Sequence, residues 1–111
     1  MELDQYQTLA SKTGLQGERT QEYRLMYLTL GLAGETGEVV EKIKKLVRND
    51  AGVLSDEKKE LLVHELGDVL WYLSQLASEI GIPLNAVGEA NIQKLADRAA
   101  RGAIKSEGDT R

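Results

Sequence analysis

Two short acidic motifs carry the chemistry this chain can offer. "ETGE" places Glu35 and Glu38 three residues apart, "ELGD" does the same with Glu65 and Asp68, and 26 residues separate the motifs. On an α-helix, residues three apart share a face, so each motif presents a pair of carboxylates. If the two helices pack antiparallel, four carboxylates converge. Like charges at that density repel strongly. Lysines can neutralise some of them, and Lys42 and Lys45 are placed to reach one or two. Hard divalent cations neutralise all four. Mg²⁺ prefers oxygen ligands, keeps several waters and shares its coordination sphere with phosphates. The offered chemistry is therefore capture of a divalent cation together with a phosphate-bearing ligand.

The helices that must position these groups follow from periodicity. Apolar residues at helical spacing predict a first helix over about 2–12, a second over about 21–48, a third over about 56–80 and a fourth over about 83–101. Thr20 and Ser55 are the expected N-caps, Gly81 suits the end of the third helix, and Pro83 suits the first turn of the fourth. Residues 13–20 and 49–55 read as loops, and 103–111 as a polar tail after one domain, 1–102.

On the second helix, Leu25, Leu28, Leu32, Val39, Val40, Ile43, Leu46 and Val47 share the expected core arc. Glu35, Glu38, Lys42 and Lys45 form a separate strip about 120° around. A solvated Glu38–Lys42 pair would explain part of that strip. It would not explain Gly31, Gly34 and Gly37, which cost a helix stability and permit close approach of a neighbour or ligand. Gly67 invites the same reading.

Glu65 falls inside the apolar arc of the third helix, with Asp68 at its edge. A carboxylate there is costly unless paired or bound to a metal. Trp71 and Tyr72 follow; a base-stacking role competes with burial in a subunit interface, and the interface is favoured for Trp71. His64 reads as a surface or interface residue. On the fourth helix Asn91 projects toward Leu84, Val87 and Leu95, flanked by Lys94 and Arg98. It reads either as a satisfied structural amide or, with its neighbours, as a set suited to a sugar hydroxyl and phosphate oxygens.

The 111 residues suffice for one core. Cysteine is absent, which excludes disulfides and thiolate metal sites. The net charge of −4 argues against a nucleic-acid polymer as partner. No run of about 18 apolar residues occurs, so no membrane span is expected, and the cytoplasm is the default compartment.

With those residues in place, the chain resembles the MazG-like nucleoside triphosphate pyrophosphohydrolases of the all-α NTP pyrophosphatase superfamily. The ExxE…ExxD pair carries the resemblance, inside "LGLAGETGEVVEKIKK" and "ELGDVLWYLSQLASEIGI", supported by "EANIQKLADRAARG". It implies a four-helix antiparallel bundle assembled as a dimer or dimer of dimers, with active sites near subunit interfaces. It also implies Mg²⁺-dependent hydrolysis of a nucleoside triphosphate to the monophosphate and pyrophosphate, with Mn²⁺ as a substitute. Glu35, Glu38, Glu65 and Asp68 would hold metal, Glu38 would also activate water, and Lys42, Lys45, Asn91, Lys94 and Arg98 would contact substrate. The expected task is nucleotide-pool housekeeping. The rivals are a sister enzyme (a phosphoribosyl-ATP pyrophosphohydrolase or a dUTP-type diphosphatase) and a non-catalytic helical oligomerisation module.

Overall fold

The computed structural model describes residues 1–14 and 19–102. The expected polar tail, 103–111, and residues 15–18 of the first loop lie outside the described residues. Four helices follow in order: α1 (Leu3–Ser11), α2 (Gln21–Asn49), α3 (Asp56–Glu79) and α4 (Leu84–Arg101). There is no strand among the described residues.

The helix ends obey local chemistry. Thr20 accepts a hydrogen bond from the Tyr23 amide at 3.1 Å, and Ser55 accepts one from Lys58 at 3.2 Å. Gly81, at φ 74°, ends α3 in the left-handed region. There the Ile82 amide bonds the Ala77 carbonyl at 2.9 Å and the Gly81 amide bonds that of Ser78 at 3.0 Å. Pro83 is the N-cap of α4 rather than part of its first turn. Its side chain offers no acceptor, so α1 supplies two: Gln7 accepts from the Leu84 amide and Asp4 from the Asn85 amide, both at 2.8 Å.

Helices α2 and α3 form an antiparallel hairpin. Arg24 meets Glu79 at 2.8 Å, Lys42 meets Glu65 at 3.4 Å, and Asp50 meets Lys58 at 3.8 Å, so numbers fall on α3 as they rise on α2. Helix α1 packs on α3 and α4, and α4 packs on α1 and α3; α2 touches α3 alone. The single chain is thus all-helical and antiparallel through its long hairpin, but it does not close a four-helix bundle by itself.

The face of α2 that meets α3 is turned toward the acidic strip relative to the sequence expectation. Leu28 and Leu46 are buried as expected. Val40 and Val47, assigned to the same arc, remain 60% and 63% exposed. The reason is geometric: α2 has one neighbour in the chain, and one neighbour cannot cover a wide apolar arc.

Candidate functional site

The antiparallel register sets the two acidic motifs side by side at mid-hairpin. One carboxylate oxygen each from Glu35, Glu65 and Asp68 lies within 4.8 Å of the others. Glu35 and Glu65 are half-buried and Asp68 is exposed, so the cluster opens to solvent on one side. Glu65 sits where its place in the apolar arc predicts, its side chain only 18% exposed. Lys42 turns across the hairpin to this carboxylate, so it serves a partner on α3.

Burial first, then the charges of Asp68, Glu65 and Glu38, hold the Glu35 carboxyl above the ordinary glutamate range. An acid whose pKa is raised by folding binds more protons folded than unfolded. Its contribution therefore makes stability fall as pH rises through the interval above the unfolded value, about 4.3. In EDTA, urea melts of wild type and Glu35→Gln are expected to diverge across that interval, the glutamine variant gaining relative stability as pH rises. Parallel curves would count against charge crowding at Glu35.

The donor set is three carboxylates. Cysteine is absent and His64, exposed on α3, is outside the group. All-oxygen donors with an open side suit Mg²⁺ or Mn²⁺, which take a few carboxylates and fill the remaining positions with water or phosphate.

Glu38 is exposed on α2 and outside the three that meet, although its charge reaches Glu35. Lys45 is bonded to Glu41 at 3.5 Å. Lys42 and Lys45 both line a cavity of about 180 Å³ next to the cluster, with Leu46, Lys58, Leu61 and Leu62. Asn91, expected to face inward, is exposed, as is Lys94; α4 turns Leu84 and Arg98 into the fold instead. Arg98, expected to contact substrate, is 6% exposed. Trp71 is half-buried, and its indole N–H donates to the Thr13 hydroxyl at 2.8 Å.

Two tyrosines lie at the cluster: Tyr72, weighed from sequence only for base stacking, and Tyr6, which sequence did not single out. Burial, and then the charge of Asp68, raise the Tyr6 phenol pKa. Tyr72 is raised by burial, by its bond with Tyr27, and by the charges of Tyr27, Glu35 and Asp68. The position of Tyr72, four residues after Asp68, was the available signal. Tyr6 comes from a remote helix and had none.

A hairpin of long helices with a shared carboxylate cluster defines an all-α protein fit to hold a divalent cation. Residues 24–102 match the family described as the MazG nucleotide pyrophosphohydrolase domain, and the chain belongs to it. That family hydrolyses nucleotide phosphoanhydride bonds, generally with a divalent metal. The chain is also 41% identical over 114 residues to the Gene 37 protein of Mycobacterium phage L5, with 100% of both chains covered. No solved structure gives a significant match. No helix among the described residues is long and apolar enough to cross a membrane.

Proposed function

We propose that the protein is a Mg²⁺-dependent nucleoside triphosphate pyrophosphohydrolase that converts a (d)NTP and water to the (d)NMP and pyrophosphate, as nucleotide-pool housekeeping. The convergence of Glu35, Glu65 and Asp68, within a matched MazG domain, carries this reading. These three residues hold the ion, with Glu38 at the margin of the cluster. Bound Mg²⁺ supplies charge neutralisation on the phosphates and a lowered pKa for coordinated water.

The chain's own groups do the rest. Glu38 is exposed, so its carboxylate is free to orient a water and accept its proton as the oxygen attacks the α-phosphorus. The bond from the α-phosphorus to the bridging oxygen breaks, and pyrophosphate leaves toward the cavity lined by Lys42 and Lys45, whose ammonium groups stabilise its charge. Asn91 and Lys94 are assigned the sugar hydroxyl and a phosphate oxygen. Glu38→Gln is expected to lower turnover by about a hundredfold or more, the scale of general-base catalysis, with ion affinity little changed. Near-normal turnover would remove Glu38 from the role.

We also assign self-association, as a dimer or dimer of dimers, to the uncovered apolar side of the hairpin. α1 holds the strip of α3 that carries Trp71 and Ser78. Leu66, Leu73 and Ile80, spaced by sevens on another strip, stay exposed, as does Ile43 on α2. This periodicity suits a second helical hairpin, and such an assembly would bring the α4 of a second copy within reach of the cluster.

The deciding experiment incubates the protein with canonical and modified NTPs and dNTPs, with and without Mg²⁺. Pyrophosphate as the released product is expected. Release of orthophosphate, or no turnover together with no Mg²⁺-dependent thermal shift, would overturn the proposal.

A further inference from the structure

Helices α2 and α3 make a tight contact one turn away from the acidic cluster. A Cβ built on Gly31 would lie 2.1 Å from Cε1 of Tyr72, 2.4 Å from Cζ and 2.6 Å from Cδ1. The phenol ring therefore occupies the notch that the missing side chain leaves. Equivalent atoms on Gly34, Gly37 and Gly67 would meet nothing within 4 Å. Close packing is thus specific to Gly31.

The ring has two aromatic neighbours. Trp71 meets it edge-on, centroids 4.9 Å apart at 85°, and is itself tied to Thr13, two residues beyond the end of α1. Tyr27 is a second aromatic neighbour, tilted at 42° with centroids 6.4 Å apart. Gly31 is one turn before Glu35, and Tyr72 is one turn after Asp68, so the contact and the carboxylates share the same short stretch of both helices. On the other side of the cluster α2 and α3 are tied by the Lys42–Glu65 pair, made by a half-exposed, flexible ammonium group.

We propose that Tyr72 is a positioning residue: its ring, seated on Gly31, sets the spacing of α2 and α3 at the cluster and thereby the ability of Glu35, Glu65 and Asp68 to share one cation. The proposal rests on the metal-binding reading above. Mg²⁺ demands near-ideal octahedral geometry at short metal–oxygen distances, so a small change in helix spacing lowers affinity. The ring acts by its bulk, and the hydroxyl is dispensable for this purpose.

Calorimetric titration of the metal-free protein with Mn²⁺ tests it, with metal-free melting recorded for each variant. Gly31→Ala is expected to weaken binding by about 10- to 100-fold, the range found when support of a metal ligand is lost. Tyr72→Ala should do the same, and Tyr72→Phe should stay within about twofold of wild type. In a Tyr72→Ala background, adding Gly31→Ala should change affinity by less than about twofold, because no ring remains to collide. Wild-type affinity in both Gly31→Ala and Tyr72→Ala, whatever their melting temperatures, overturns the proposal. So does an equal effect of Gly31→Ala in both backgrounds. Should Gly31→Ala fail to fold, the contrast between Tyr72→Phe and Tyr72→Ala decides alone. Glu35→Gln separates the two layers: if it loses the ion while Gly31→Ala and Tyr72→Ala keep it, only the spacer role falls, and if it keeps the ion, the metal site falls too.

Discussion

Replacing Glu65 by glutamine, or Asp68 by asparagine, is expected to lower hydrolysis of a nucleoside triphosphate by about a hundred- to a thousandfold. The loss corresponds to roughly 3–4 kcal/mol, the scale of charge stabilisation that a well-held cation provides. Both residues come from α3 and meet Glu35 across the hairpin, so either change replaces one of the three converging carboxylates by a neutral amide. Glu65→Gln also strips Lys42 of its partner. In wild type, Mg²⁺ at about a hundred times its dissociation constant should stabilise the fold by about 2.7 kcal/mol. That shift should vanish in both variants, while the metal-free proteins melt at or above the wild-type temperature because a crowded charge has been removed. A full Mg²⁺ shift in either variant would show that the ion, if bound, sits elsewhere.

A second large effect is expected at the uncovered side of the hairpin. Ile43→Glu combined with Leu73→Glu should reduce the assembly to single chains in analytical ultracentrifugation and lower the melting temperature at any protein concentration. Each aliphatic side chain buried between copies contributes about 1.5–3 kcal/mol, and a two-fold interface counts each position twice. Introducing a carboxylate there adds a desolvation cost. Wild-type protein that sediments as one chain at every concentration would contradict the assignment before any variant is made.

Much of the fold was legible because helix signals are local. Thr20 and Ser55 cap where their side chains permit, and Gly81 takes the left-handed conformation that ends α3. The convergence of Glu35 with Glu65 and Asp68 was legible for a related reason: Glu65 interrupts an apolar arc, and such a charge needs a partner. What escaped was tertiary. The orientation of α4 is set by its packing on α1 and α3, so helical projection placed Asn91 inward when it is exposed and did not foresee the burial of Arg98. Gly31 and Gly34 look alike in sequence. Only the packed ring of Tyr72 distinguishes the glycine that is required from the one that faces open space.

The way α4 begins has a practical bearing. Its leading amides are satisfied by Asp4 and Gln7, and Gln7 also donates to the Ile82 carbonyl at 3.0 Å and to Ser78 at 3.1 Å. The opening helix works as a clasp over the α3–α4 junction, so the direction in which Asn91 and Lys94 point is decided some eighty residues upstream. Fusion partners or deletions at that extremity would loosen the clasp and swing a distant arm, and through Tyr6 and the Trp71–Thr13 bond they would also reach the flank of the carboxylate centre.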